Sequence, residues 1–243
     1  MIMTPFEMNF DLPAQRYDGR GVLKPSAVLY MCQVAAGEHC RQFSLDWDTL
    51  QKRDLFWAVI RVNVRIYRLP RLGETVRAVT WPMPTTRSAF PRTTEGYDEA
   101  GNLLFTVTNL WVLVDTKKRA MLLPGKSGVE LEGITLGREL PLPGSIYPEQ
   151  YPNRTPRQVR PEDIDRNGHV NNTRYIDWLF DLLGQDEPAP KALHAVYHNE
   201  ALMDDKLTLS WEKGEKTAAL EILRSKEQES EKCDRIFAAR VEF

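Results

Sequence analysis

The chain has 243 residues, of which 42% are hydrophobic and 27% are charged, a composition typical of a folded globular protein. Its formal net charge of -2 argues against the basic domain that nucleic-acid binding requires, so we expect no nucleic-acid partner. The first twenty residues contain Glu7, Asp11 and Pro13 and no long apolar run. We therefore expect no secretion signal, no membrane segment and a cytoplasmic location.

The first half of the chain predicts one long helix followed by about four strands. Apolar residues recur at helical spacing over 27–43, just after Pro25. Apolar and polar residues then alternate over 56–67, which indicates a strand. Further strand signals occupy 74–82, 88–97 and 103–114, with turn residues at 98–102. This pattern favours one helix buried against a curved antiparallel sheet.

The second half repeats the same order after a segment rich in glycine and proline. That segment, from 124 to 161, is interpreted as a connector. A helix is predicted over 170–183, and strands follow at 193–199, 206–211, 218–224 and 234–241.

Because helix-then-strands occurs twice, we predict an α+β fold of two similar units whose sheets join edge to edge. The first unit is expected at 1–125, a linker at 126–160 and the second unit at 161–243. Pairing of the two units within one chain favours a monomer, and a homodimer stays open.

The three cysteines predict no disulfide framework, because their number is odd and they are widely separated. Cys32 and Cys40 are predicted to lie on the first helix, and Cys233 is predicted on a late strand. We expect all three to be packed, unreactive thiols.

The strongest candidate site is the segment 165–172, which reads Asp-Arg-Asn-Gly-His-Val-Asn-Asn. Asp165, Asn167 and His169 carry a carboxylate, a carboxamide and an imidazole at alternate positions, and an extended backbone would direct them to one side. Gly168 permits a sharp turn, and the N-terminus of the following helix would offer N–H groups to an oxyanion. An acyl hydrolase uses such groups.

A structural interpretation of the same segment stays open on the residues alone. Asp, Asn and Gly residues ahead of a helix commonly form turns and caps. Asn171 or Asn172 is the expected N-cap residue.

The longer pattern from Asp165 to Trp178, Asp-x-Asn-x-His-Val-Asn-Asn-x-x-Tyr-Ile-x-Trp, resembles the signature of acyl-acyl-carrier-protein thioesterases. The shorter Asp-x-x-Gly-His-Val-Asn-Asn is similar to hotdog-fold acyl-CoA thioesterases in general. Earlier parts of the chain also resemble the first half of the family: Trp81, Arg87, Arg92, 110–119 and 123–124. The resemblance implies two tandem hotdog domains, of which the first shapes the acyl-chain pocket and the second carries catalysis.

The resemblance also implies a further carboxylate from a Tyr-x-x-Glu segment on the strand after the second helix, and Glu200 fits this position. The family often has Cys directly after this Glu, whereas here the residue is Ala201, which disfavours a thiol nucleophile. We hypothesise that Glu200, oriented by His169, activates water and that Asn167 positions the acyl carbonyl. Asp165 either attacks the thioester directly or assists the attack. The sequence does not decide how these roles are divided between Asp165 and Glu200.

No metal or cofactor is expected, because His39, His194 and His198 lack ligand-like spacing with acids or cysteines. Carrier proteins are acidic, so a surface that docks one should be locally basic. The candidate substrate-binding or carrier-binding residues are Arg87, Arg92, Lys117, Lys118, Arg119 and Arg174, together with Arg154, Arg157 and Arg160 in the connector. Each of them is otherwise interpreted as a solvated charge.

The leading prediction is hydrolysis of the thioester of acyl-acyl-carrier-protein, which releases a free fatty acid and ends fatty acid synthesis. One alternative is a hotdog acyl-CoA thioesterase, which would hydrolyse CoA esters comparably. Another is a hotdog protein that binds acyl groups without catalysis. The joint presence of Asp165, Asn167, His169 and Glu200 argues against the second alternative.

Overall fold

The structure of the protein, a computed structural model, describes residues 4–184, 187–224 and 234–243. The chain divides between Pro143 and Gly144 into two compact units. In both units a long helix accompanies an antiparallel sheet, so the predicted α+β class is confirmed. The predicted domain boundaries, 1–125 and 161–243 with a linker between them, stay a prediction.

The first unit forms one antiparallel sheet in the strand order β1-β3-β4-β5-β2, with β6 paired to β5. Its elements are β1 (Phe6–Phe10), a 3-10 turn (Ala14–Arg16), α1 (Pro25–Arg41), α2 (Trp47–Gln51), β2 (Leu55–Ile66), β3 (Val76–Pro82), β4 (Phe90–Tyr97), β5 (Leu103–Asp115), β6 (Ala120–Leu122) and α3 (Pro124–Ser127). The helix and the four long strands predicted from periodicity are all present.

Helix α1 is buried along most of its length. Pro25 occupies the first helical turn, where its missing N–H removes no hydrogen bond. Ala27, Met31 and Ala35 are fully buried on the face that contacts β3 and β1. The small side chains at 27 and 35 let the helix approach the sheet closely, which excludes water from the interior of the unit.

The second unit forms an antiparallel sheet in the order β8-β11-β10-β9-β7. Its elements are β7 (Asn153–Gln158), a 3-10 turn (Pro161–Asp163), α4 (Asn172–Leu183), β8 (Ala192–Tyr197), β9 (Lys206–Lys213), β10 (Thr217–Arg224) and β11 (Asp234–Glu242). The Tyr175 ring of α4 stacks on Phe237 of β11, with ring centroids 5.0 Å apart, and lies 6.0 Å from Tyr197 of β8. These aromatic contacts attach α4 to its sheet.

Strand β7 lies within the segment that the sequence predicts to be a connector, and the prediction missed it. Apart from one proline, the residues of Asn153–Gln158 are polar or charged, so no period-two hydrophobic pattern is visible. This proline, Pro156, cannot donate a main-chain hydrogen bond. A proline is tolerated here because, in the described part of the chain, β7 pairs with β9 alone and is the outermost strand of its unit.

The remainder of the connector lies against the sheets through specific contacts. In the first unit the Ile134 N–H donates to the Pro82 carbonyl at 2.9 Å, and the Trp81 indole donates to Glu139 at 3.1 Å. In the second unit Arg235 donates to the Ile146 carbonyl at 2.6 Å. Each part of the connector is therefore held by the unit to which it belongs.

Candidate active site

The segment that carries the sequence motif forms a tight turn. The Asp165 N–H donates to the His169 carbonyl at 2.8 Å, and the Gly168 N–H donates to the Asp165 carbonyl at 3.0 Å. Gly168 has a φ of 81°, the left-handed conformation that favours glycine. The prediction that an extended backbone aims Asp165, Asn167 and His169 to one side is therefore wrong. The turn instead places Asp165 and His169 opposite each other.

Asp165 and Asn167 contact each other within this turn. One carboxylate oxygen of Asp165 accepts the Asn167 N–H at 2.8 Å, and the Asn167 carboxamide Nδ2 lies 3.4 Å from the other oxygen. A side-chain oxygen that accepts an N–H two residues later is the usual Asx-turn arrangement. The turn interpretation is thus confirmed for these residues, because the Asp165 carboxylate stabilises the turn.

The side chain of His169, in the motif, contacts the side chain of Glu200, which lies outside it. His169 Nε2 lies 3.0 Å from Glu200 Oε2, and the two side chains are 20% and 38% exposed. The structure places Glu200 in the loop after β8 and not on the strand, which ends at Tyr197. The pair combines an imidazole and a carboxylate that solvent can reach, the groups that a general base mechanism requires.

Two main-chain contacts bring the loops of His169 and Glu200 together. His169 forms an antiparallel bridge with Leu202, and the Val170 N–H donates to the Ala201 carbonyl at 2.9 Å. Ala201 is fully buried, so the small side chain at this position lets the two loops pack closely. The contact between the side chains of His169 and Glu200, which are far apart in sequence, therefore depends on this short stretch of strand-like pairing.

The helix that follows the turn starts beside the pair. Asn171 is the N-cap, because its Oδ1 accepts the Thr173 N–H at 2.9 Å and the Thr173 hydroxyl at 2.8 Å. The sequence left Asn171 and Asn172 as alternatives, and the structure selects Asn171. Helix α4 then begins at Asn172, so His169 precedes a helix N-terminus with positive dipole character.

Asp163 is a buried carboxylate next to the turn, and its role was not predicted from the sequence. It accepts hydrogen bonds from Arg174 Nε at 2.9 Å and from the Arg160 N–H at 3.1 Å. Its carbonyl also accepts the Asn171 N–H at 2.8 Å. Arg174, a candidate for carrier binding, therefore supports the loop through Asp163 and also pairs with Asp177 at 2.9 Å. The mixed polar sequence around Asp163 offered no periodic signal.

The other basic candidates divide into one buried residue and several exposed ones. Arg92 is 5% exposed and lies inside the first unit, where it donates to His39 Nδ1 at 3.1 Å and to Thr80 at 3.2 Å. A docked carrier protein cannot reach a buried side chain. The prediction that Arg92 contacts the carrier protein is therefore wrong. The remaining candidates of the first unit lie exposed in turns: Arg87 between β3 and β4, and Lys117, Lys118 and Arg119 between β5 and β6.

The predicted burial of the first two cysteines is confirmed. Cys32 and Cys40 lie on the buried face of α1 without a disulfide. Burial raises the pKa of the Cys32 thiol to about 12, so it does not supply a thiolate at neutral pH. Cys233 lies outside the described residues.

Within residues 4–184, 187–224 and 234–243, no three or more His, Cys, Asp or Glu residues are grouped so as to hold a metal ion. No helix in those ranges is both long and apolar enough to span a membrane.

Comparison with known families gives two matches along the chain. Residues 4–123 match the model of the acyl-ACP thioesterase N-terminal domain, and residues 148–242 match the model of the acyl-ACP thioesterase C-terminal domain. Together the two ranges take in most of the chain, and the second contains the turn, α4 and Glu200.

Similar curated proteins are longer than this chain. The chloroplastic acyl-[acyl-carrier-protein] hydrolase FATB2 of Cuphea viscosissima is 26% identical over 194 residues, which cover 72% of this chain and 46% of that protein. The chloroplastic dodecanoyl-[acyl-carrier-protein] hydrolase of Umbellularia californica is 27% identical over 187 residues, which cover 71% of this chain and 47% of that protein. The chain thus spans about half the length of the curated relatives it matches.

Solved structures match the chain along nearly its whole length. An acyl-ACP thioesterase from Bacteroides thetaiotaomicron has a TM-score of 0.78 at 19% identity, covering 98% of this chain and 97% of that one. The 12:0-ACP thioesterase from Umbellularia californica has a TM-score of 0.78 at 21% identity, covering 98% of this chain and 96% of that one. The predicted fold of two tandem hotdog domains is confirmed by these likenesses.

Proposed function

Because this chain belongs to the acyl-ACP thioesterase family, we propose that it hydrolyses the thioester of acyl-acyl-carrier-protein and releases a free fatty acid. The observation that carries this proposal is the 3.0 Å contact between His169 Nε2 and Glu200 Oε2. The contact lies beside the N-terminus of α4, in the part of the chain that matches the C-terminal domain of the family. The interior of the first domain would shape the acyl-chain pocket.

The proposed reaction begins with a water molecule held by the Glu200 carboxylate. Glu200 takes a proton from the water as its oxygen bonds to the thioester carbonyl carbon, and His169 orients Glu200 through the 3.0 Å contact. The carbonyl oxygen becomes an oxyanion, which the positive end of the α4 helix dipole stabilises. The C–S bond then breaks, the proton returns to the thiolate, and the carrier thiol and the free acid leave.

Asp165 and Asn167 have supporting roles in this proposal. The Asp165 carboxylate accepts the Asn167 N–H at 2.8 Å and lies 3.4 Å from its carboxamide nitrogen. These contacts favour assistance by Asp165, which holds Asn167 in place, over direct attack by Asp165. Asn167 would then present its carboxamide N–H to the acyl carbonyl.

The test is a panel of acyl-carrier-protein and acyl-CoA thioesters with quantification of the freed acids. We expect wild-type protein to release acids from the carrier-protein esters and Glu200→Gln to lose about a hundredfold in kcat. Glu162→Gln is a matched control, because Glu162 is an exposed carboxylate of the same domain. A wild-type rate for Glu200→Gln would contradict its assignment as the base. Comparable rates with CoA esters would favour the acyl-CoA thioesterase alternative.

We propose that the acidic carrier docks on exposed basic side chains, of which the turn Lys117 to Arg119 is the densest in the first domain. Lys117 is 75% exposed and pairs with Asp54, and Lys118 is 76% exposed. Added salt should then lower turnover of carrier-protein esters more steeply than turnover of small thioesters. Equal salt dependence would exclude electrostatic docking. The cytoplasmic location and the choice between monomer and homodimer stay predictions.

A further inference from the structure

Arg224, the last residue of β10, contacts the main chain of Glu200. Its Nη2 donates to the Glu200 carbonyl oxygen at 2.5 Å, and its side chain is 26% exposed. A guanidinium donor on a main-chain carbonyl is a charge-assisted hydrogen bond, stronger than one between neutral groups. Because Glu200 lies in a loop beyond the end of β8, this contact supplies a restraint that regular strand pairing does not.

Ala201, the residue after Glu200, is restrained as well. Its side chain is fully buried, and its carbonyl accepts the Val170 N–H at 2.9 Å. The Glu200 carbonyl and the Ala201 N–H belong to one planar peptide unit. Arg224 therefore restrains this peptide unit at the Glu200 carbonyl, and the contact with Val170 restrains the residue that follows it.

The Arg224 guanidinium is itself held by two carboxylates. Asp205 Oδ2 lies 3.0 Å from its Nε and 2.9 Å from its Nη2, and Asp234 Oδ2 lies 3.2 Å from its Nη1. These contacts engage all three nitrogens of the planar group, so its position is defined on both edges. A residue held in this way can transmit a fixed geometry to the carbonyl it binds.

Asp205 also connects the cluster to His169. Its carboxylate accepts the Leu202 N–H at 2.9 Å, and its own N–H donates to the Leu202 carbonyl at 3.2 Å. Leu202 is the residue that forms the antiparallel bridge with His169. The cluster of Arg224 and Asp205 is therefore connected to both members of the pair. It reaches Glu200 directly and His169 through Leu202.

We propose that Arg224 is a positioning residue for thioester hydrolysis, which keeps the Glu200 carboxylate within hydrogen-bond distance of His169. The inference rests on the proposed function, since it assumes that Glu200 is the base. Arg224 binds the backbone of Glu200 and not its carboxylate, so its removal leaves the catalytic groups present but poorly aligned. Misplacement of a catalytic group by about 1 Å lowers the rate about a hundredfold.

The first experiment compares Arg224→Met and Arg224→Lys with Arg68→Met. Arg68 is a matched control, because it also pairs with two carboxylates, Glu74 at 2.7 Å and Asp98 at 3.2 Å, but in the first domain. We expect Arg224→Met to lower kcat at least about tenfold with KM changed less than about twofold. Arg224→Lys should recover part of kcat, and Arg68→Met should leave both constants unchanged. A wild-type kcat for Arg224→Met would overturn the proposal.

The second experiment separates positioning from a general effect on folding. In a Glu200→Gln background, Arg224→Met should cause no further loss of kcat, because the group that it positions is already gone. A further loss of about tenfold in that background would overturn the proposal. If Arg224→Met does not fold, Asp205→Asn gives the same comparison with the guanidinium retained. A wild-type kcat for Glu200→Gln alone would instead contradict the proposed function, so the two failures are distinguishable.

Discussion

His169 Nε2 lies 3.0 Å from Glu200 Oε2 although the two residues belong to different loops of the second domain. The bridge between His169 and Leu202 and the hydrogen bond from Val170 to Ala201 bring these loops together. Both side chains are partly exposed, and exposed pairs contribute at most about 1 kcal/mol to stability. Stability therefore explains the pair poorly, and the proposed catalytic role predicts it.

The first prediction concerns His169→Asn. We expect kcat to fall about a hundredfold, because the imidazole no longer orients the Glu200 carboxylate. The free energy of unfolding, measured by urea denaturation, should change by less than about 1 kcal/mol. His198→Asn is the control, since His198 is an exposed histidine of the same domain. Loss of stability in proportion to the loss of activity would assign His169 a structural role.

The second prediction concerns Asp163, the buried carboxylate next to the turn of residues 165–169. Asp163→Asn should lower the free energy of unfolding by about 3 kcal/mol, because it leaves the Arg174 guanidinium without its buried partner. Asp177→Asn is the matched control, because Asp177 contacts the same guanidinium at the same 2.9 Å distance but is 19% exposed. Its expected cost is less than about 1 kcal/mol. Equal effects of the two substitutions in chemical denaturation would refute the prediction.

The third prediction concerns the pH dependence of stability. Burial, and next the charge of Arg92, lower the pKa of His39 to about 4 from its ordinary 6.5. Between these values the unfolded chain binds a proton that the folded chain does not, so stability falls as the pH falls from 6.5 to about 4. The corresponding contribution is about 3 kcal/mol.

His39→Gln should remove this part of the pH dependence, because glutamine does not titrate and still offers Arg92 an acceptor. The measurement is urea denaturation of both proteins at several pH values between 4 and 7. The difference in the free energy of unfolding between wild type and His39→Gln should shrink as the pH falls. If this difference stayed constant with pH, the lowered pKa of His39 would be contradicted.

The fourth prediction concerns a close approach inside the first domain. A Cβ added at Gly96 would lie 2.3 Å from the ring of Phe105, directly across the β4–β5 pair. Gly96→Ala should therefore destabilise the protein by about 1–3 kcal/mol through overpacking. Gly37→Ala, at an exposed position of α1 with no atom near the added Cβ, should instead stabilise the protein by up to about 1 kcal/mol. If Gly96→Ala left the midpoint of thermal unfolding unchanged, the close packing of Gly96 against Phe105 would be contradicted.

The sequence alone determined the elements whose signal lies in neighbouring residues. Helix α1 and the long strands β2 and β5 follow from apolar residues at helical or period-two spacing, so they were predictable. The residue types between Asp165 and Trp178 also sufficed to indicate the family and its thioesterase chemistry. Such patterns depend on local backbone geometry and on residue identity, both of which are present in a short window of sequence.

Tertiary structure decided the contacts that join distant parts of the chain. Strand β7 has no hydrophobic alternation and becomes a strand only by pairing with β9. Arg92 carries the same charge as the exposed candidates but is buried, because its strand faces α1. The hydrogen bond from Arg224 to Glu200 depends on where β10 ends relative to the loop after β8. Residue type states which interactions are available, and only the packing of distant segments selects the ones that form.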